Sequence, residues 1–323
     1  MSTVTTADTR ATLWLGLGTG LVTALLWGSW AVVSRVGLTG ALDFHDVTAL
    51  RYTVSGIVLL PVLLRQRVNW HGIAGVPWHA IFLMLIGAGA PYALVVFAGL
   101  QVAPASHQAV IGPSGVLLFT AGLSALFLGE RFDRRQLAGM TVVMAGVGAI
   151  GWHGLAGDTD IGRGHLLFVA ATLLWSVFTV TARAWRIDAL VATAIVSVVS
   201  FVTYLPFYLL IAGGRLLAAP VLEVAFQGIY QGLITGVIAL ALYMRTVALL
   251  GAGRAALFVS LVPAMAAALA VPVLGEALAT STLVGVVLVT IGMAIAVGRG
   301  AVGPGRAAAT AGQSGGVVPG SKP

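Results

Sequence analysis

The sequence predicts an all-α integral membrane protein of ten transmembrane helices, arranged as two inverted five-helix repeats. Three observations carry that expectation. Of the 323 residues, 59 % are hydrophobic and 8 % charged, against roughly 25 % charged in ordinary soluble domains. Apolar runs long enough to cross a hydrocarbon core about 30 Å thick recur along the whole chain. The chain also matches itself at a shift of 146 residues: Leu128-Gly129-Glu130 meets Leu274-Gly275-Glu276, Leu137 meets Leu283, Gly139 meets Gly285 and Gly146 meets Gly292. The runs are continuous rather than alternating, which disfavours a β-barrel.

In chain order, residues 1–12 read as a polar cytoplasmic tail. Spans are expected at 13–37, 46–64, 80–101, 106–128 and 136–153, which make up the first repeat (13–153). An external linker, 154–164, leads to spans at 165–183, 189–212, 224–248, 255–274 and 279–298, the second repeat (165–298). Residues 299–323 are rich in Gly, Ala, Ser and Pro and read as a disordered cytoplasmic tail. Within each repeat the fourth span stops at a glycine, Gly129 or Gly275, the residue for which a left-handed C-terminal cap costs least. The glutamate that follows is expected near the N-terminus of the next helix. Beyond the tripeptides, Ala93 and Leu94 meet Ala239 and Leu240, and Phe97 meets Tyr243. With a small change of offset Trp27 and Arg35 match Trp175 and Arg183.

Basic residues set the orientation. With the N-terminus inside, 13 of the 17 fall on the cytoplasmic side; Arg35, Arg51, Arg163 and Arg215 do not. Both termini are therefore expected in the cytoplasm of a multi-pass protein of the cell membrane. Five spans per repeat is an odd number, so the second copy must sit upside down relative to the first. Inverted repeats are a transporter architecture with the binding site near the midplane, and alternating access follows from the symmetry. The net charge of +7 forms no dense basic face, so nucleic acid is not an expected partner. Zero cysteines exclude a thiolate nucleophile and an iron–sulfur site. The first apolar run carries Trp27 and Trp30 and lacks a cleavage site, so no removable signal peptide is expected. The histidines form no metal motif and no Gly-rich phosphate loop is present, so neither a metal nor another cofactor is expected.

Ten spans in two repeats, each with Pro or small residues before LGE in its fourth helix and an LxG……G helix after it, resemble the EamA type of the drug/metabolite transporter superfamily. The residues are Leu128-Gly129-Glu130 with Leu137, Gly139 and Gly146, and Pro263 through Leu274-Gly275-Glu276 with Leu283, Gly285 and Gly292. The resemblance covers residues 14–298. It implies a carrier of amino acids, other metabolites or drug-like solutes, with a small molecule and the lipid bilayer as partners; homodimerisation is left open. The first copy departs from the pattern. Pro113 lies 17 residues before Glu130 and Pro263 lies 13 before Glu276, so the two fourth helices are expected to bend at different depths.

Candidate substrate-binding residues come from polar and aromatic stripes. Thr23, Trp27, Trp30 and Ser34 share one helical face, and Thr172, Trp175 and Thr179 another. Rings supply apolar area and hydroxyls orient polar groups, which suits a small organic solute; ordinary packing is the competing account. Gln227, Gln231 and Thr235 form a stripe that lipid cannot satisfy, so it should face the bundle interior. Gln108, near the outer end of its span, is a gate or ligand donor, or else a solvated helix start. Tyr92 and Tyr243 complete the set, with interhelical hydrogen bonding as their alternative. Arg51 is expected to snorkel to the outer interface, its alternative being a bidentate bond to a carboxylate or phosphate. Asp46 is expected to cap the second span.

No catalytic cluster of ionisable groups sits at either membrane face, so an enzyme is not expected. A lipid-modifying enzyme and a non-transporting sensor or scaffold remain the alternatives to a metabolite exporter. All ten acidic residues fall in tails, loops or span ends. With no carboxylate at mid-depth to carry a proton or sodium ion, facilitated or exchange transport is expected.

Overall fold

A computed structural model describes residues 6–157, 159–212 and 215–297. The chain begins with α1 (Thr6–Thr39) and α2 (Phe44–Leu64). A meander of two-residue strands follows: β1 (Val68–Asn69), β2 (Gly72–Ile73) and β3 (Val76–Pro77). Then come α3 (Trp78–Ala88), α4 (Ala90–Val102), α5 (Ala105–Leu128), α6 (Arg134–Gly157), α7 (Thr159–Ala184) and α8 (Ala189–Ala212). The last part holds α9 (Arg215–Ala218), α10 (Val221–Gly228), a π-helical stretch (Ile229–Ile238), α11 (Ala239–Leu250), α12 (Ala252–Val259), α13 (Val262–Leu274) and α14 (Thr280–Val297). Among the described residues, nine helices or helix pairs are long and apolar enough to cross a membrane. The one expected span not among these nine is the fifth, 136–153, which corresponds to α6; its first turn carries Arg134, Arg135 and Gln136 and its middle is glycine-rich.

Several expected boundaries move. Residues 6–12, within the expected N-terminal tail, are helical and continuous with α1. Within the expected linker, residues 154–157 are the end of α6 and 159–164 the start of α7; the expected C-terminal tail lies outside the described residues. The expected third span is divided at Gly89, where Pro91 in the first turn of α4 has no N–H to continue the α3 ladder. The second fourth span is divided between α12 and α13 just before Pro263. Its counterpart α5 runs through Pro113 unbroken. The meander was not expected. It is held by the Asn69 side chain, which accepts from the N–H groups of His71 and Gly72, and it requires glycine at 72, where a Cβ would collide with the Val76 carbonyl oxygen.

At α2 the cap is Asp43 rather than Asp46. The Asp43 carboxylate accepts from the N–H of Asp46, while Asp46 accepts from the N–H of Asp43 at 2.8 Å, a reciprocal capping box. Gly129 and Gly275 both adopt the left-handed cap, at φ 68° and 65°. The following glutamate N–H then reaches back to the carbonyl of Ser124 or Ala270, 3.3 Å in both copies, so the two helix ends close in the same way.

Packing between helices maps onto itself when the repeats are exchanged. α6 runs along α14 and α2 along α8; α5 on α7 is matched by α13 on α1, and α4 on α7 by α11 on α1. The closest of these contacts is built from glycine. A Cβ on Gly139 would lie 2.6 Å from the Gly292 carbonyl, and one on Gly285 would lie 2.9 Å from that of Gly146. Gly139 therefore faces Gly292 while Gly146 faces Gly285, so α6 and α14 cross antiparallel, each presenting the same two positions to the other.

Candidate functional site

A cavity of about 1110 Å³ opens between the repeats, with walls from α1, α2, α4, α5, α7, α8, the π-helical stretch and α11. Eight of the ten sequence candidates line it: Trp27, Trp30, Tyr92, Gln108, Trp175, Thr179, Thr235 and Tyr243. The rings form two groups. Trp27 meets Tyr243 at 5.1 Å between centroids, and Tyr92 meets Trp175 at 4.9 Å, with Phe178 a further 5.5 Å along. Tilted aromatic pairs of this spacing hold one another in place while leaving ring faces free for a ligand.

Ser34 and Gln231 are not on the cavity wall. Both are fully buried and stand behind Trp30. The indole Nε1 of Trp30 donates to Gln231 Oε1 at 2.8 Å, and Gln231 Nε2 donates to Ser34 Oγ at 2.9 Å and to Gln227 Oε1 at 3.2 Å. Gln227 in turn donates to the Val33 carbonyl. The expected inward polar stripe is thus split, with Thr235 on the wall and the two glutamines binding α1 to α10 and the π-helical stretch. A buried amide takes a side-chain partner before it takes solvent, because leaving it unmet costs about 1–3 kcal/mol.

Sequence reasoning placed Arg51 elsewhere. Rather than reaching the outer interface, its guanidinium lines the cavity, 5.9 Å from the ring centres of both Trp30 and Tyr52. Tyr52, Ser55 and Phe178 are wall residues that no stripe in the sequence singled out. The contact of Arg51 with an aromatic on the first span has no periodic signature.

The ends of the bundle differ. At one, Glu276 crosses to α5 of the other repeat instead of serving the next helix. Its carboxylate accepts from the N–H groups of Ala105 (2.7 Å) and Ser106 (3.1 Å) and from the Ser106 hydroxyl (2.6 Å). These are the unpaired donors of a helix N-terminus, where negative charge is favoured. Arg35 lies 3.8 Å from the same carboxylate and donates to the carbonyls of Leu100 and Ala103. At the other end Arg183 pairs with Glu130 and donates to Ser124 Oγ at 3.2 Å. The cavity reaches Glu130, Arg183 and Arg186; it reaches neither Arg35 nor Glu276. His107 is away from the cavity, within 2.9 Å of His165 and 3.4 Å of Thr282.

Residues 14–152 and 162–298 each match the model of the EamA-like transporter family. The chain belongs to the EamA-like transporter family. The two matches coincide with the two repeats, so the drug/metabolite transporter superfamily expected from the LGE tripeptides is the right one. "Uncharacterized transporter YetK" of Bacillus subtilis (strain 168) is 25 % identical over 280 residues, spanning 84 % of this chain and 83 % of that one. A solved structure described as "Crystal structure of protein" aligns with a TM-score of 0.57 at 21 % identity, over 87 % of this chain and 96 % of its own, a likeness of fold. This EamA-family chain is accordingly a multi-pass membrane protein of a transporter family, and its family points to transport rather than catalysis.

Proposed function

We propose that the protein is a secondary transporter of small organic metabolites, an exporter that works by alternating access between inverted repeats. The observation that carries the reading is the exchange of equivalent contacts at the two ends. Arg35 of the first repeat meets Glu276 of the second, and Arg183 of the second meets Glu130 of the first. One end is closed over α5 and the other opens to the cavity. Under the charge bias of the sequence the open end, with Arg131, Arg134, Arg135, Arg183 and Arg186, is cytoplasmic, and this is an inward-facing state. Conversion to the outward-facing state would release Glu276 from α5. Glu130 would then cap the equivalent backbone at Gly251–Ala252, and the cavity would be delivered to the other side. The eight wall candidates are the substrate contacts in this reading, with Ser34 and Gln231 positioning Trp30.

The test is the purified protein in liposomes. A solute found by its effect on melting temperature should cross the bilayer chemically unchanged. Consumption of that solute without movement would replace the carrier with an enzyme. Topology is checked separately in this cysteine-free chain. Single cysteines at the exposed positions Arg67 and Arg134 should label from the cytoplasm, and one at Asp160 from outside.

A further inference from the structure

We infer that the transported solute is a small organic anion, a carboxylate on an aromatic or branched apolar body, and that Arg51 is its receptor. The inference rests on the transporter reading above and names the substrate class of that same cavity. Arg51 Nη1 is buried and has no hydrogen-bond acceptor. The Tyr52 hydroxyl beside the guanidinium donates to the Ala88 carbonyl at 2.6 Å, and what interaction it offers Arg51 leaves Nη1 unmatched. The rings of Trp30 and Tyr52 lie 5.9 Å from the guanidinium carbon, and Nη1 is the N–H group left for a ligand. A guanidinium edge matches a carboxylate with two parallel hydrogen bonds.

The charge of the wall points the same way. Arg51, Arg183 and Arg186 line the cavity, and Glu130 is the one acidic residue among the described lining residues. Glu130 is engaged by Arg183. An anion entering this space supplies the counter-charge that Arg51 lacks, in surroundings where unpaired charge is costly. A free amino acid would bring an ammonium group as well, and the only wall carboxylate is already paired. An amine would place a cation beside an unmatched cation. The wall also carries the rings of Trp27, Tyr243, Tyr92, Trp175 and Phe178, with neutral polar groups such as Gln108, Thr179 and Thr235 between them, which suits an apolar body with one charged head to be recognised.

The experiment is a thermal-shift titration of the full-length, detergent-purified protein with matched probes: phenylacetate, its neutral amide, 2-phenylethylamine, phenylalanine, phenyl phosphate and a series of branched-chain carboxylates. The carboxylates should raise the melting temperature in a saturable way, while the amide, the amine and phenylalanine should not. Phenyl phosphate shares the oxyanion chemistry; stabilisation by it in preference to every carboxylate would overturn the carboxylate assignment. Arg51→Gln should weaken carboxylate binding by about 10- to 100-fold. It should leave the ligand-free melting temperature unchanged or higher, since it removes an unmatched cation. Arg51→Lys keeps the charge without the fork and should fall between. Equal response to acid and amine, no response to any carboxylate at millimolar concentration, or parental affinity in Arg51→Gln would each overturn the assignment. Liposomes that move phenylalanine but not the acids would do so too, leaving the transporter reading standing. Binding of the acid with no movement across the bilayer would instead remove transport and keep the anion site.

Discussion

Trp30 is held in place by a polar network and Trp27 by another ring, so the two tryptophans on one face of α1 should answer differently to substitution. Trp30→Phe keeps most of the ring but leaves Gln231 Oε1 without its donor at a site that excludes water. It should lower stability by about 1–3 kcal/mol, read as a drop in melting temperature before any ligand is added. Trp27 makes a ring contact with Tyr243 at the cavity wall. Trp27→Ala, like Trp175→Ala, should leave the amount of protein in the membrane near normal and weaken solute binding by roughly 1–3 kcal/mol. Titration of the solute against both variants checks this, and parental affinity in both would make the rings packing elements.

Helix geometry separates the glycines into classes that composition cannot distinguish. Gly139 is in backbone contact with α14: a Cβ there would lie 2.6 Å from the Gly292 carbonyl. Gly139→Ala should therefore destabilise by about 1–3 kcal/mol as the helices are forced apart. Gly129 has open space around it but sits at φ 68°, so Gly129→Ala should cost about 1–2 kcal/mol from conformation alone. Gly122 has open space and an ordinary helical backbone. Gly122→Ala should be neutral or stabilising by about 0.5–1 kcal/mol. Melting temperatures of the three variants measure the ordering, and a loss at Gly122 equal to that at Gly139 would mean that α5 packs on a surface absent from the monomer. The π-helical stretch belongs at this scale as well. Its Thr235 hydroxyl donates to the carbonyls of both Tyr230 and Gln231, and the wider turn turns Thr235 to the cavity while Gln231 stays behind Trp30, a use of local π geometry common at functional sites.

Across the whole molecule, the contact between Glu276 and the N-terminus of α5 is the closure of one end. Cysteines replacing Ser106 and Glu276, joined by a short bis-methanethiosulfonate that forms a disulfide with each and releases methanesulfinate, should abolish transport, and reduction of the link should restore it. The absence of native cysteine makes the background clean. Transport that continues at the parental rate with the link complete would remove this contact from the cycle. Energy coupling is decided at the same scale. Glu130 is the one carboxylate among the described cavity-lining residues, and it lies at the open end in contact with Arg183. Liposomes loaded with solute should accordingly release it with no ion gradient imposed. Accumulation against a solute gradient after a pH step, lost in His107→Gln, would reverse that expectation and give the paired rings of His107 and His165 a proton-carrying role.

Nine of the ten span positions, the duplication and the capping glycines were legible in the sequence because each depends on local quantities: apolar length, repeat spacing, and the residue type that best tolerates a left-handed turn. The aromatic stripes on α1 and α7 were legible for the same reason, since helical periodicity fixes which side chains share a face. Partners across the bundle were not. Glu276 serves the N-terminus of α5 rather than α14, because the nearest unpaired N–H groups in space belong to the other repeat. Gln231 and Thr235, on one stripe in the sequence, separate into a buried amide and a wall hydroxyl because the backbone between them is π-helical. Arg51 reads as an interfacial cation along the chain, where only its distance from a span end is visible. It becomes a cavity cation once the fold brings it to the wall beside the rings of Trp30 and Tyr52. Sequence determined which faces are polar; the tertiary structure decided what each face meets, because burial makes an unmet charge or amide costly enough to select its partner.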